Sequence, residues 1–310
     1  MQHILGVDGG GTKTTARIAD TDGNTLAQGV SGASNYHSVG IPKAIENLNQ
    51  AISEALSDWD NDQVNFVSSC FGFAGFNSES DRVSYQKIVF NSMLENKLNP
   101  DKALIYNDTM VGLAAGSDCP NKIILIAGTG SNCYGMNQQG RDAKANGWDY
   151  ILADEGSGYS MGLNALRAIM RAYDGRGQAT QLTDIILKYL NIDSIDDLIK
   201  WTYQKPFSKD RIGDLSKPVC DAADNGDKVS QVILAEEARE AVISVSAVVE
   251  KLGLENKEFD LVMVGGNFKC VKYFRKRLTR DLKSKYQGIK FLPLTREPVH
   301  GAVKLAIENL

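Results

Sequence analysis

The amino-acid sequence predicts an α/β fold made of two similar domains. Strand-like apolar segments alternate with segments of helical periodicity along the 310 residues, as is typical of the α/β class. One segment near the N-terminus and another near residue 122 each show the order strand, glycine turn, strand, glycine turn. The spacing repeats as well, because Gly11 and Gly23 are 12 residues apart, as are Gly128 and Gly140. We therefore expect a duplicated fold whose two hairpins face a shared cleft.

The first half contains a hairpin followed by alternating helices and strands. Apolar runs with period-two alternation indicate strands, and the Asp22-Gly23 pair is a turn signal. The expected elements are strands over 3–8, 14–20 and 25–30, a helix over 41–56, a strand over 64–74, a helix over 79–94, a strand over 103–107 and a short helix that begins at Asp108.

The second half repeats the hairpin and adds more helices. The expected elements are strands over 122–127 and 131–136, helices over 157–172, 180–190, 195–203 and 228–252, a strand over 259–264, a basic helix, a strand over 289–292 and a helix over 299–307. This length suffices for two cores. We expect an N-terminal domain over 1–118, on which the C-terminal helix 296–310 packs, and a C-terminal domain over 119–295 with helical insertions.

Composition and charge narrow the functional classes. Hydrophobic residues make up 43% and the formal net charge is −4, which disfavours a nucleic-acid partner. The stretch 269–285 carries eight Lys/Arg and one acid. With Val271, Phe274, Leu278 and Leu282 at helical spacing, it predicts an amphipathic helix with a solvated basic face. Because no apolar stretch approaches the ~18 residues of a membrane span, we expect a cytoplasmic protein without a membrane partner.

The five cysteines show no metal-binding or redox spacing. They are Cys70, Cys119, Cys133, Cys220 and Cys270. An odd and scattered set is typical of reduced thiols in a cytoplasm, so no disulfide is expected.

Glycine is enriched, with 29 residues against a usual share of about 7%. The segment 6–13, GVDGGGTK, differs from a Walker A loop because Thr12 precedes Lys13 and a strand follows. Its backbone N–H groups can still form a nest for phosphate oxygens, and Asp8 can hold Mg²⁺ through water. The alternative is an ordinary hairpin in which Asp8 is a turn residue.

Two further sites follow predicted strands. Gly128-Thr129-Gly130-Ser131-Asn132 follows the strand that matches the first one, so this loop can complete a two-sided phosphate clamp. Asp108 follows the strand 103–107, and open α/β sheets bind ligands at such carboxyl ends. Its carboxylate can act as a general base, although the residues alone favour a simple helix cap.

A polar, glycine-rich stretch suits a sugar. Gly147-Trp148 and the run 154–158 (DEGSG) combine carboxylates, which accept hydrogen bonds from hydroxyls, with an aromatic ring that can cover an apolar sugar face. The alternative is a capped helix start with a solvated acid pair. The glycines of Gly265-Gly266-Asn267 have two equally good explanations. They could let the backbone approach the adenosine part of a nucleotide, or they could form a tight turn between a strand and a helix.

Together these strings resemble the superfamily of actin, the 70-kilodalton chaperones and the sugar kinases. Within it, GVDGGGTK (6–13), LIAGTGSN (125–132) and GWDYILADEGSGY (147–159) are similar to the family of N-acetylglucosamine kinases and BadF/BadG/BcrA/BcrD ATPases. The resemblance implies a duplicated actin-like (ribonuclease H-like) fold with a cleft between the domains. It also implies an enzyme that uses ATP and Mg²⁺ to phosphorylate the 6-hydroxyl of N-acetylglucosamine, and a homodimer.

The resemblance also implies roles for individual residues. Asp108 falls at the position of the catalytic base, and Asp8 is the residue expected to hold Mg²⁺ through water. The expected ATP and phosphate contacts are Gly10, Gly11, Thr12, Lys13, Gly128, Thr129, Gly213, Gly265, Gly266 and Cys270. The expected sugar contacts are Asn35, Asp108, Ser131, Asn132, Gly147, Trp148 and Asp154.

Other functions stay open at this point. Asp149 follows Trp148 where the animal enzymes usually carry glycine, and this carboxylate leaves room for a cationic amino group. Free glucosamine is therefore the alternative substrate. A non-kinase ATPase that activates a partner enzyme is a further alternative, although no cysteine motif for a bridging iron–sulfur cluster is present. A sugar sensor without transfer activity would need neither Asp108 nor the phosphate loops, so the presence of both argues against that function.

Overall fold

The computed structural model describes residues 2–59 and 64–310. The chain divides into two compact units. The N-terminal unit extends to Asp118 and includes Leu294–Leu310, and the C-terminal unit comprises Cys119–Pro293. Within the described ranges, no helix has the length and apolar character that crossing a membrane requires.

The N-terminal unit is built on a five-stranded mixed sheet. Its strand order is β3-β2-β1-β4-β5. The hairpin strands β1, β2 and β3 pair antiparallel, whereas β4 and β5 run parallel to β1. The strands are β1 (His3–Gly9), β2 (Lys13–Ala19), β3 (Thr25–Gly32), β4 (Phe66–Phe73) and β5 (Ala103–Asn107). The helices are α1 (Tyr36–Val39), α2 (Ile41–Ala55), α3 (Glu79–Phe90), α4 (Asp108–Gly116) and, from the end of the chain, α12 (Pro298–Glu308).

Helices α2 and α12 pack their buried apolar residues against this sheet. Helix α2 begins at Ile41 with a proline in its first turn, a position where the missing N–H costs nothing. Its Leu48 and Ile52 are fully buried. Helix α12 packs against β1 and α4. Gly6 of β1 permits this approach, since a Cβ there would lie 2.7 Å from Val303 Cγ2.

The C-terminal unit repeats the same sheet topology. Its order is β10-β9-β6-β7-β8, with an antiparallel β6-β7-β8 meander and with β9 and β10 parallel to β6. The strands are β6 (Lys122–Ala127), β7 (Ser131–Met136), β8 (Asp142–Ala145), β9 (Phe259–Val264) and β10 (Ile289–Pro293). Since strand order and directions match those of the N-terminal unit, the predicted duplication is confirmed.

Seven helices accompany this second sheet in the chain's described part. They are α5 (Gly158–Tyr173), α6 (Leu182–Leu190), α7 (Ile195–Thr202), α8 (Lys209–Gly213), α9 (Ser216–Asp224), α10 (Lys228–Leu252) and α11 (Lys276–Lys285). The sequence did not predict β8, α8 or α9, which are at most nine residues long and show too few periods to detect. Helix α10 matches its predicted bounds, with Asp227 as its N-cap and Gly253 in the left-handed region after it.

The basic segment 269–285 is not one continuous helix. A 3₁₀ turn (Gly266–Lys269) and a π-helical turn (Val271–Arg275) precede α11. Phe274, Leu278 and Leu282 are fully buried as predicted, while the π turn rotates Val271 outward and leaves it 38% exposed. The lysines and arginines of α11 are exposed, which confirms a solvated basic face.

The expectation of five reduced thiols is wrong in this structure. Cys220 and Cys270 form a disulfide, with Cα atoms 5.8 Å apart. The two residues are separated by 50 positions in sequence, so no local spacing could indicate their pairing. Helix α9 carries Cys220, and Cys270 directly follows the 3₁₀ turn. Cys70 and Cys133 are buried thiols.

Candidate active site

Asp108 does not cap the helix that it begins. Asn107 is the N-cap of α4, and its side chain accepts a hydrogen bond from Met110 N at 2.8 Å. The simple-cap interpretation of Asp108 is therefore wrong, because its neighbour performs that function. Asp108 is the first residue of α4 and follows the carboxyl end of β5, where the positive end of the helix dipole favours an ionised carboxylate.

Asp8 is a buried acid that lies close to other carboxylates. Burial raises its pKa to about 6, and the nearby carboxylates of Asp108 and Glu297 add to the rise while Lys13 opposes it. Asp8 stands at the end of β1, and β4 separates β1 from β5 in the sheet. The N-terminal unit thus brings the two predicted acids, Asp8 and Asp108, into mutual interaction.

The first glycine turn joins β1 to β2 and also holds the segment that follows β3. Gly10 N donates to Lys13 O at 2.8 Å, which closes the hairpin. Gly10 O accepts from Ser34 N at 3.2 Å and from Asn35 N at 3.3 Å, so Asn35 lies beside the turn. A Cβ on Gly11 would meet nothing within 4 Å. With Thr12 and Lys13 also exposed, this side of the turn has room for a ligand.

Asn35 is held by a polar cluster that the sequence analysis did not identify. Its side chain caps α1 by accepting from His37 N at 3.1 Å. His37 Nε2 lies 2.9 Å from Asp81 Oδ1, which also accepts from Tyr36 Oη at 2.5 Å. Burial opposes the charge of Asp81, but hydrogen bonds from Tyr36 and Ser78 and from backbone amides hold its pKa well below the usual range. The Ser78–Asp81 capping-box spacing at the start of α3 was the available sequence signal.

In the C-terminal unit, the second glycine turn is tied to the start of α5. Gly128 N donates to Gly130 O at 2.9 Å, and Gly128 O accepts from Gly158 N at 2.7 Å. The Asn267 amide donates to Gly156 O at 3.2 Å and thereby joins the turn after β9 to the same group. Gly265 has φ +121°, and a Cβ there would lie 2.3 Å from Ala127 O. Only glycine fits that position.

Five of the six ATP contacts expected in the C-terminal unit line one pocket. The pocket has a volume of about 500 Å³. Gly265 is the exception, since it packs beneath the turn. The pocket is lined by Gly128, Thr129, Met161, Gly213, Asp214, Ser216, Lys217, Cys220, Asp221, Gly266, Asn267, Lys269 and Cys270.

The expected sugar contacts of this unit also cluster. Ser131 N donates to Asp154 Oδ1 at 2.6 Å. A Cβ on Gly147 would lie 2.9 Å from both Ser131 O and the Asn132 side chain. Trp148 is 49% exposed, and Lys144 Nζ lies 4.2 Å from its ring centroid. The arrangement combines buried polar acceptors with an accessible indole ring.

The loop that carries Trp148 has an unusual backbone. Asn146, Gly147 and Asp149 have φ values of 64°, 72° and 69°. Such left-handed conformations cost energy in non-glycine residues and concentrate at functional sites. The Asn146 amide donates to Ser131 Oγ at 2.8 Å and to Glu155 O at 2.7 Å, which fixes this loop against β7.

Two charged residues at this cluster were missed in the sequence. The buried Glu237 of α10 accepts from Gly156 N at 2.6 Å, from Ser160 Oγ at 2.6 Å and from the Asn164 amide at 2.9 Å. Lys209 Nζ lies 2.5 Å from Asp154 Oδ2 and 2.9 Å from Asp149 Oδ1. Both residues come from elements distant in sequence, and no local motif marks either one.

The acids of the N-terminal unit fit a hydrated Mg²⁺ better than a fully protein-bound metal. Among residues 2–59 and 64–310, no group of three or more His, Cys, Asp or Glu could hold a metal ion. The interacting Asp8 and Asp108 carboxylates suit Mg²⁺, which keeps several waters and takes one or two carboxylates. Burial is the main cause of the raised pKa of Asp8, and a dication there would relieve the repulsion from Asp108 that adds to it.

Comparison with known proteins places this geometry in context. The BadF/BadG/BcrA/BcrD ATPase family profile matches residues 5–306. The chain is 35% identical over 306 residues to the N-acetylmuramic acid/N-acetylglucosamine kinase of Clostridium acetobutylicum, covering 99% of this chain and 98% of that protein. It is 33% identical to the N-acetyl-D-glucosamine kinase of Dictyostelium discoideum, with 99% and 98% covered.

A solved structure shares the fold. The structure of a candidate N-acetylglucosamine kinase from Chromobacterium violaceum superposes with a TM-score of 0.76 at 23% identity, and 99% of each chain is covered. At this identity the likeness concerns the fold. It agrees with the duplicated actin-like topology of the two sheets.

Proposed function

Since the chain belongs to the BadF/BadG/BcrA/BcrD ATPase family and is an amino-sugar kinase by its full-length relatives, we propose that it phosphorylates the 6-hydroxyl of N-acetylglucosamine with ATP. The observation that carries the site assignment is the interaction of Asp8 and Asp108 within the N-terminal unit. The capping role of Asn107 supports a chemical role for Asp108.

In this proposal Asp108 is the general base. Its carboxylate accepts the proton of the sugar 6-hydroxyl while the hydroxyl oxygen bonds to the γ-phosphorus of ATP, and ADP leaves with the electrons of the broken P–O bond. Phosphoryl transfer depends mainly on positioning and on charge neutralisation. The turns at Gly10–Lys13 and Gly128–Thr129 would supply backbone N–H groups to phosphate oxygens.

The remaining ligand contacts follow the two clusters. The pocket lined by Gly213, Gly266 and Cys270 has a volume in the range of small-molecule sites, which supports binding of adenosine there. Asn35, Ser131, Asn132, Gly147, Trp148 and Asp154 would contact the sugar. Asp8 would hold Mg²⁺ through water, and the ion would neutralise charge on the phosphates.

A coupled ADP-release assay tests the proposal. N-acetylglucosamine, glucosamine, glucose, N-acetylmannosamine and N-acetylmuramic acid form the substrate panel, since one relative is named for N-acetylmuramic acid as well. Asp108→Asn should lower kcat by about 10²-fold or more and leave ATP affinity within about threefold. Asn107→Ser, which retains a capping oxygen, is the matched control and should keep kcat within about twofold.

The alternatives give different results in the same assay. A partner-activating ATPase would release ADP at a rate that does not depend on sugar. There would then be no sugar-dependent rate for Asp108→Asn to lower. A glucosamine kinase would prefer the free amine. The pairing of Asp149 with Lys209 favours the N-acetyl sugar, because the Asp149 carboxylate already has a cationic partner. Near-normal turnover in Asp108→Asn would refute the assignment of the base.

We propose a homodimer, which the family resemblance implies, and a cytoplasmic location. Light scattering during size-exclusion chromatography would distinguish a dimer from the 33.8 kDa monomer, and cell fractionation would test the location.

A further inference from the structure

Three charged side chains form a connected chain at the expected sugar site. Lys209 Nζ lies between the carboxylates of Asp154, at 2.5 Å, and Asp149, at 2.9 Å. The side chain of Asp154 is 4% exposed and that of Lys209 is 26% exposed, whereas that of Asp149 is 69% exposed. Two carboxylates share one ammonium, so the set carries a net charge of −1.

The two ion pairs have different weight because their burial differs. The Asp154–Lys209 pair is largely removed from water, and breaking such a pair leaves an uncompensated buried charge. The Asp149–Lys209 pair is open to solvent, where ion pairs contribute little. Lys209 therefore acts mainly on Asp154, the carboxylate that also accepts from Ser131 N.

The second glycine turn leaves room for this ammonium. A Cβ on Gly130 would lie 3.1 Å from Lys209 Nζ and 3.2 Å from Asp154 Oδ1. The Lys209 ammonium thus lies beside the turn that is expected to bind phosphate. Burial opposes the charge on Lys209, but Asp154 and Asp149 outweigh it and raise the pKa of the ammonium, so Lys209 remains charged.

We propose that Lys209 is a positioning residue that selects the amino-sugar substrate by charge: it holds the Asp154 carboxylate in place, and it occupies the carboxylates that would otherwise attract a cationic 2-ammonium group. The neutral N-acetyl sugar is then favoured over free glucosamine. This inference rests on the proposed kinase function and deepens it, since it names the residue that discriminates between the two sugars.

The proposal predicts opposite effects from two substitutions. Lys209→Met changes the net charge of the set from −1 to −2, which attracts a cationic sugar and misplaces Asp154. Asp149→Asn changes it to 0 and should disfavour glucosamine further. Because Asp149 is exposed, that variant tests the idea even where Lys209→Met folds poorly.

The experiment measures kcat and KM for N-acetylglucosamine and glucosamine at saturating ATP. In Lys209→Met, the KM for N-acetylglucosamine should rise about 10-fold or more, while the KM for ATP should stay within about threefold of wild type. The ratio of kcat/KM for glucosamine to kcat/KM for N-acetylglucosamine should rise about 10-fold. In Asp149→Asn this ratio should fall about threefold. Lys209→Arg, which retains the cation, should keep the ratio within about threefold of wild type. Lys200→Met, at another surface ion pair of the same unit, is the control and should match wild type.

Several outcomes would overturn the proposal. These are a wild-type KM in Lys209→Met, an equal loss toward both sugars with an unchanged ratio, or a ratio in Lys209→Arg equal to that of Lys209→Met. In each case an active wild type leaves the proposed function intact. A wild type that phosphorylates neither sugar would refute the proposed function itself, and this inference with it.

Discussion

Because Asp8 is buried close to other carboxylates, we expect its charge to lower the free energy of unfolding at neutral pH. Burial and the carboxylates of Asp108 and Glu297 raise the pKa of Asp8 from its usual 3.8 to about 6 in the folded protein. The folded state therefore binds a proton more tightly than the unfolded chain. Removing this carboxylate by Asp8→Asn should stabilise the fold at neutral pH, even as it weakens Mg²⁺-dependent activity.

The size and the pH window of the effect follow from linkage. Below about pH 3.8 Asp8 is protonated in both states, and its effect on unfolding is absent. Between about pH 3.8 and 6 the unfolded state has released the proton that the folded state retains, so the free energy of unfolding falls as pH rises. The difference between about 6 and 3.8 amounts to up to about 3 kcal/mol, at 1.36 kcal/mol per pKa unit.

Urea unfolding of wild type and Asp8→Asn at pH 4, 5, 6 and 8 measures this difference. The variant should be about equal to wild type at pH 4 and up to about 3 kcal/mol more stable at pH 8, with no nucleotide or Mg²⁺ present. Asp22→Asn makes the same chemical change at an exposed turn and should stay within about 0.5 kcal/mol of wild type throughout. A stability gain that is absent at pH 8, or that does not vary with pH, would refute the reasoning.

Two further predictions concern the C-terminal unit. Gly265→Ala should destabilise the protein by more than about 2 kcal/mol, since Gly265 has φ +121° and its added Cβ would lie 2.3 Å from Ala127 O. An added Cβ on Gly266 would meet open space, so Gly266→Ala should change the free energy of unfolding in urea little. The same variant should raise the KM for ATP about 10-fold. Glu237→Ala removes the acceptor of the buried Gly156 N–H and of the partly buried side-chain donors of Ser160 and Asn164, and it should cost at least about 3 kcal/mol in urea unfolding. The exposed Glu236→Ala should stay within about 0.5 kcal/mol. A Glu237→Ala cost equal to that of Glu236→Ala would contradict the anchoring role of Glu237.

Most strands could be predicted from sequence because each alternates or is continuously apolar over five or more residues. The hairpin glycines marked both turns, and the strands 103–107, 122–127 and 259–264 have the predicted bounds. Helix α3 ends at Phe90 rather than at Leu94, since apolar periodicity does not determine where a helix frays.

The details of the candidate site were harder to predict because long-range contacts determine them. Asn107 and Asp108 are adjacent and both suit a helix start, so only the hydrogen bond to Met110 N identifies the cap. Lys209 reaches Asp154 across 55 positions (209 − 154). Glu237 reaches Gly156 across 81 positions. Nothing local in the sequence distinguishes either residue from a surface charge.

Helix α12 belongs to the first unit although it follows the whole second unit in sequence. Helix α12 packs on β1, which carries Asp8, and on α4, which begins with Asp108. A Cβ on Gly301 would lie 1.9 Å from Val111 O, so this contact between α12 and α4 is close. During translation the N-terminal unit therefore stays incomplete until α12 leaves the ribosome, although the segment Cys119–Pro293 of the other unit has already emerged. A nascent or C-terminally truncated chain would lack the helix that packs against the two elements carrying Asp8 and Asp108.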